Sequence, residues 1–364
     1  MPYKHCELPP YPCECDLWDR LCAETRPIVV YGMGNGADKL IDRLNTYGVT
    51  VSDIFASDGF VRGHSFRGMR VLSFSEVREK YDSFVILLSF ASSRPEVLSM
   101  LLDMDSHYEL YVPDMPVADA TEYFDREFYN THYDDLLRAY ESLADVESRD
   151  TFAAVLNYKL TGELHFLFDC YATGDELYSL LPTDSIRHMT DLGAYNGDTV
   201  REGIAHFSHL TTALAVEPDP KTYKRLLKYA DTVTDLELIT VNAAALDRVG
   251  EGEFLSSGNR NSSVGSTASH EHSTEAVRLV TADSLTDRTD YIKYDVEGAE
   301  YEALVGSHRL ISECAPALLV SLYHRSRDIF FLLNYINQTY PDYRLYLRRT
   351  LCVPAWEIAL IAVR

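Results

Sequence analysis

From Arg187 to the C-terminus the chain alternates short aliphatic runs with longer amphipathic stretches, a rhythm that leaves few folds open. Strands are predicted at His188–Leu192, Ala213–Glu217, Glu237–Val241, Tyr291–Asp295, Pro316–Tyr323, Tyr343–Arg348 and Glu357–Val363, with helices between most of them. Alternation of this kind implies parallel strands joined by crossover helices. The last two runs are too close for a crossover, so the sheet is expected to end in an antiparallel hairpin. In open sheets of this class ligands bind beyond the carboxyl ends of the strands. The residues at those ends therefore matter most.

At 364 residues the chain is long for one domain. An N-terminal unit, residues 1–118, opens with a Pro- and Cys-rich lead-in. It then shows strands at Arg26–Tyr31, Val49–Ala56, Phe84–Ser89 and Tyr108–Val112, with helices at Ala37–Tyr47 and Pro95–Asp103. Strand signals then vanish from about Asp119 to Leu181, and apolar residues such as Leu136, Leu137, Tyr140 and Leu143 recur at helical spacing. Residues 119–185 thus read as a helical connector, and residues 186–364 as the second α/β domain. No repeat or low-complexity tract interrupts them.

Two glycine turns follow first strands. Gly32-Met33-Gly34-Asn35-Gly36-Ala37 fits the dinucleotide G-x-G-x-x-A pattern, and Asp58 lies where a ribose-binding carboxylate belongs. The same glycines also serve plain strand-to-helix packing, and both readings stay open. Thr190–Thr199, TDLGAYNGDT, is spaced D-x-G-x-x-x-G instead. This wider turn suits an amino-acid moiety: Asp191 can meet an ammonium, and N–H groups at the helix start, around Asp198, can take a carboxylate. The next strand ends on Glu217, able to accept from both hydroxyls of a ribose. The third ends in Asn242-Ala243-Ala244, where small residues leave room for an adenine ring and Asn242 can reach a polar edge. Each feature is weak alone; their order on successive strand ends is the signal.

The fourth strand ends Lys293-Tyr294-Asp295-Val296-Glu297-Gly298-Ala299-Glu300, and the fifth runs into Tyr323-His324-Arg325-Ser326-Arg327. Buried charge is costly unless it is paired or used. A salt-bridge network accounts for these carboxylates structurally, with Glu300 its best member; a reaction site accounts for them functionally. His324 reads either as a satisfied structural histidine or as a neutral imidazole that accepts a proton. Three oxygen-bearing groups on one rim also suit Mg²⁺.

TDLGAYNGDT, VEPDP, NAA, YIKYDVEGAEYEALVG, VSLYH and the closing YLRR…WEIALIAV together resemble the FkbM-type family of methyltransferases that use S-adenosylmethionine (SAM). The likeness spans about half the chain, from Arg187. More loosely, the N-terminal unit and the connector resemble those of longer bacterial members. The resemblance implies a class I methyltransferase fold, a seven-stranded doubly wound α/β sheet, preceded here by a smaller Rossmann-like domain. It also implies O-methylation of a hydroxyl on a sugar, sugar nucleotide or related small molecule. Carried over by motif, Asp191, Gly193, Gly197, Asp198 and Glu217 would bind SAM, and Asn242 and Ala243 would lie by the adenine. Lys293, Asp295, Glu297 and His324 would line the reaction site. Tyr195 and Asn196 depart from the smaller or apolar residues frequent there. The alternatives are N-methylation of a peptide or nucleotide, and a nucleotide-sugar-binding or assembly protein with a methyltransferase scaffold.

The formal charge of −23 disfavours a nucleic-acid partner. No apolar run approaches the roughly 18 residues of a membrane span, and the N-terminus lacks a basic stretch followed by an apolar one, so a cytoplasmic protein is expected. Its partner would be a small-molecule or glycan acceptor, with self-association open. Arg325 and Arg327, after the fifth strand, and Arg348 and Arg349, after the sixth, should emerge on the ligand rim, with Trp356 as an apolar face for a sugar ring. These arginines either pair with the chain's many carboxylates or admit an anionic acceptor. Cys6, Cys13, Cys15 and Cys22, beside His5, read as a zinc clip or as reduced thiols.

Overall fold

The computed structural model describes residues 4–61, 63, 65–118, 122–255, 263–264 and 274–364. The expected connector start at Asp119 lies outside them. The C-terminal sheet has seven strands: β1 His188–Leu192, β2 Thr212–Val216, β3 Glu237–Val241, β4 Tyr291–Tyr294, β5 Ala317–Ser321, β6 Arg344–Arg349 and β7 Ile358–Val363. Their order is β3-β2-β1-β4-β5-β7-β6. β1 to β5 pair in parallel, and β7 runs antiparallel to both β5 and β6. This is the class I methyltransferase sheet. The expected hairpin forms, but its returning strand inserts between β5 and β6. β5 is buried along its whole length, as a parallel sheet covered on both faces demands, whereas edge strand β3 stays half open.

A second sheet of four strands interrupts the chain between β3 and β4: Ala244–Ala245, Gly250–Leu255, Ser263–Val264 and Thr274–Val280. The sequence reading missed it. GEGEFL and TEAVRLV carry charges and glycines where a buried strand would be aliphatic, and their pairing is long-range.

The N-terminal sheet has six strands rather than the four expected. Ser65–Phe66 and Met69–Ser73 were overlooked, as was the helix Phe74–Lys80 that follows. MRVLS lacks clean alternation, and its place is set by parallel pairing with Asp53–Ala56. Between the sheets, Val146–Thr161 is the connector's central helix. Asp145 caps its start by accepting from Ser148 N, and Gly162, at φ 68°, ends it in the left-handed conformation. Nearly all of it from Ser148 on is buried, because it packs on β6. A short helix, Gly174–Tyr178, leads from there to β1. The two sheets meet where Ser92 and Val353 exchange backbone hydrogen bonds of 2.7 and 3.0 Å. Among the described residues no helix is long and apolar enough to cross a membrane.

Candidate active site

A cavity of 340 Å³ opens at the carboxyl ends of β1, β2, β4 and β5. The turn after β1 is tight. Gly193 has φ 90°, and a Cβ there would stand 1.9 Å from the Asp295 carbonyl oxygen, so no other residue fits. Gly197, at φ 82°, is closed in likewise by the Tyr229 ring. Asp191 ends up fully buried, in register with Lys293 of β4, and neither of its carboxylate oxygens has a hydrogen-bond partner among the described residues. Burial pushes its carboxyl up to about 7, against the pull of Lys293.

Glu217 lines the cavity and is 6% exposed. It accepts from Asp219 N at 2.8 Å and Tyr195 N at 2.9 Å, and burial still lifts it to about 8. Asn242 does something other than expected: its amide donates to the carbonyls of Glu217 and Pro218, fixing the β2 turn from the outside. Neither Asn242 nor Ala243 lines the cavity; Ala244, Ala245 and Leu246, the next three residues, do.

At β4, Lys293 Nζ lies 3.0 Å from Asp295 Oδ2, and Tyr323 OH donates to Oδ1 at 3.1 Å. Burial opposes ionisation of Asp295, but the Lys293 and His324 charges outweigh it and bring the carboxyl to about 2. Glu297, two residues on, is shifted the other way, because burial raises it more than His324 lowers it. Glu300, 1% exposed, accepts from Val296 N at 2.9 Å and Gly298 N at 3.3 Å and so ties the loop together.

His324 is fully buried. Its Nδ1 is 2.9 Å from Glu300 Oε1; its Nε2 is 3.4 Å from Glu297 Oε2 and 3.6 Å from Asp295 Oδ1. Burial disfavours its charge, yet the surrounding carboxylates win and hold its pKa well above the usual imidazole value. Of the two readings of His324, its full burial among three carboxylates, outside the lining of the cavity, favours the structural one.

The arginine-lined mouth is not there. Arg348 is buried against Asp145, Glu147 and Ser148 of the connector. Arg349, fully buried, donates to the carbonyls of Cys352 and Leu167. Arg327 lies over the Phe331 ring, Arg325 packs by Gly298, and neither they nor Trp356 line the cavity. Carboxylates line it instead, among them Asp198, Glu202, Glu217, Asp295, Glu297 and Glu357, and Lys293 is the cationic side chain among the described lining residues. Connector partners remote in sequence hold Arg348 and share Arg349 with the carbonyl of nearby Cys352, which no local pattern announces.

Several lining residues escaped the sequence reading: Gly174, Leu177 and Tyr178 of the connector, Tyr291, Thr350 and Glu357. Tyr178 OH donates to Glu202 Oε2 at 2.8 Å, closing the wall on that side. Tyr195, Glu297 and Glu357 share a further trait. All three have positive φ (46°, 53° and 61°), a conformation costly for residues with side chains. Such strain gathers at binding and catalytic sites, and no sequence motif betrays it.

The first glycine turn has a different character. A Cβ on Gly36 would lie 2.2 Å from the Ser89 carbonyl oxygen, and one on Gly32 would meet the Ser89 and Phe90 side chains, so close packing explains both. Asp58 is spent on Phe74 N and Ser75, at the start of a helix, rather than held for a ribose. The four N-terminal cysteines are not gathered: Cys13 is buried, Cys15 and Cys22 are exposed, and none belongs to a group of metal-ligating side chains among the described residues.

Residues 191–349 match the family described as Methyltransferase FkbM domain. In structure the chain is similar to the methyltransferase FkbM of Methylobacillus flagellatus KT, with a TM-score of 0.68 over 97% of this chain and 94% of that one. The two are 21% identical, a likeness of fold. More distant are an rRNA methylase of Streptococcus thermophilus (TM-score 0.33, 12% identity, 52% of this chain and 92% of that one) and the fibrillarin of Aeropyrum pernix in complex with SAM (TM-score 0.32, 15% identity, 52% and 74%). No curated protein matches the chain.

Proposed function

We propose that the protein moves the methyl group of SAM to a hydroxyl of an uncharged, sugar-like small molecule, with Glu297 as the base; the match of residues 191–349 to the methyltransferase FkbM domain supports this reading. The observation that carries this reading is a cavity at the strand ends lined by Glu217 on the β2 side and by the Asp295 and Glu297 carboxyls on the β4 side, and the surroundings of that last pair differ. Asp295 is held near 2 while Glu297 is raised. Environments that push paired acids apart assign their roles: the raised one exchanges protons, the depressed one stays charged. Asp295, fixed by Lys293 and Tyr323, orients the wall and offers a permanent negative charge.

The residues present suit the cofactor. The two unpartnered oxygens of Asp191 call for a donor, the Gly193 turn admits backbone close to a ligand, and Glu217 can accept from ribose hydroxyls. When bound, SAM would supply an electrophilic methyl on a sulfonium, and Glu297, on the cavity wall, would take the proton of the acceptor hydroxyl. A wall rich in carboxylates favours that cationic group and opposes a phosphate or carboxylate on the acceptor. The anionic acceptor anticipated from the arginines is therefore replaced by a neutral one.

The test is transfer of labelled methyl from SAM to a panel of neutral, phosphorylated and acidic sugars. Neutral acceptors should be labelled, and Glu297→Gln should cut kcat by about 10²–10⁴ with SAM affinity nearly unchanged. Labelling confined to phosphorylated acceptors would reject the neutral acceptor; a full rate in Glu297→Gln would reject the base.

A further inference from the structure

The cavity does not stop at the strand ends. Alternate residues of a strand share one face, so Tyr291, Lys293 and Asp295 of β4 stand in a row, with Leu319 and Ser321 of β5 beside them, and all five line the cavity. Strand order divides the lining into two arms. One lies on the β2 side of the Gly193 turn and carries Glu217. The other runs down the face of β4, β5 and β7 under the connector helix Gly174–Tyr178, whose Leu177 and Tyr178 pack in one cluster with Tyr291, Leu319 and Ala359. Cofactor contacts at Glu217 and the Gly193 turn use the first arm and leave the second.

The second arm is apolar on its sides and polar at its deep end. Leu177, Leu319 and Ala359 are buried along it. Tyr291 is fully buried with its ring against Phe207, and its hydroxyl has no hydrogen-bond partner among the described residues. An unpaired buried hydroxyl is costly, and phenylalanine would fill the same place without that cost. Burial, with Asp191 and Glu202 nearby, outweighs Lys293 and raises the phenol well above its ordinary value. The hydroxyl therefore keeps its proton and calls for an oxygen that accepts it. Charge narrows the class of ligand. Lys293 already serves Asp295 at 3.0 Å, so an acid group here would meet carboxylates without a spare cation among the described lining residues. An ammonium at the deep end would meet the Lys293 charge on the same face.

We propose that this arm binds the methyl acceptor as a neutral cyclic polyol, its C–H faces against Leu177 and Leu319 and a ring or hydroxyl oxygen on Tyr291 OH. The proposal rests on the methyl-transfer reading. It makes Tyr291 and Leu177 specificity-determining residues, one from the sheet and one from the connector.

Two variants of the full chain test it, with SAM affinity measured by calorimetry. Binding of methyl gluco-, galacto- and mannopyranosides to protein loaded with S-adenosylhomocysteine is followed by saturation-transfer NMR, and labelled methyl transfer is assayed on the same glycosides. Tyr291→Phe removes a hydroxyl without a partner, so stability should hold or rise and SAM affinity should stay unchanged. Its kcat/KM for a glycoside should fall by about 3- to 10-fold, through KM. Leu177→Trp fills the arm and should abolish glycoside binding while sparing SAM. Weakened SAM binding in either folded variant overturns the proposal, because the arm would then hold the cofactor. No glycoside bound by wild type also overturns it, an ordered water then being the partner of Tyr291. Should Leu177→Trp misfold, Tyr291→Phe decides alone. Glycoside bound by wild type and weakened in Tyr291→Phe, without methyl transfer, keeps the site and removes the transfer reading. Transfer with unchanged KM in the variants does the reverse.

Discussion

The two glycine turns are built alike and differ in what surrounds them. Each follows a first strand, opens a helix, and has glycines forced by a neighbouring backbone: Ser89 presses on Gly36, and Asp295 on Gly193. Close packing therefore accounts for glycine in both and distinguishes neither. The acids distinguish them. Asp58, beside the first turn, is fully engaged in starting a helix, whereas Asp191 and Glu217 are buried with their charge unmet or only partly met. A glycine turn reports that two pieces of backbone touch; a buried carboxylate short of donors reports that a ligand is expected.

That contrast breaks if the acids prove interchangeable. The largest effect should come from Glu217→Ala, which removes the ribose acceptor and should weaken SAM binding by about 1.5–3 kcal/mol by calorimetry. Unchanged affinity in a folded variant would move the cofactor elsewhere. Next comes pH. Asp191 and Glu217 have raised pKa values, about 7 and 8, so without ligand they bind protons that the unfolded chain has released. Their contribution to stability is present below pH 4 and is lost as pH rises through 7 and 8. A cationic ligand needs the ionised forms, so SAM affinity should run the opposite way and rise towards pH 8, by up to about 1.4 kcal/mol per pH unit for each proton released. Affinity and ligand-free melting temperature that move together with pH would contradict this. The smallest effect belongs to Asp58→Ala, which should cost about 1 kcal/mol of stability by denaturant unfolding while leaving SAM binding untouched. A loss of SAM binding there would make the first turn part of the site after all.

The seven main strands were legible to within a residue or two, because each is a short aliphatic run with a turn signal beside it. The acids at their ends were legible for the same reason: once β2 and β4 are placed, Glu217, Asp295 and Glu297 fall on one rim, while Asp191 is buried within β1 and does not line the cavity. What failed depended on distance along the chain. Arg348 and Arg349 lie at the end of β6 as expected, but long side chains go where partners are, and theirs are in the connector. His324 looked like a lone imidazole because Glu300, which faces it, begins a helix a strand away. Tyr178 had no motif at all; it matters because its helix folds back onto Glu202.

That last helix bears on how such proteins can be cut and recombined. Gly174, Leu177 and Tyr178 form part of the cavity wall, and Ala172 is bridged to Thr350. A crossover placed at the start of β1, where the sheet begins, would leave the graft without one side of its own binding site. The transferable unit begins upstream of Ala172, so any exchange of specificity by chimera has to carry the end of the connector with the sheet it closes.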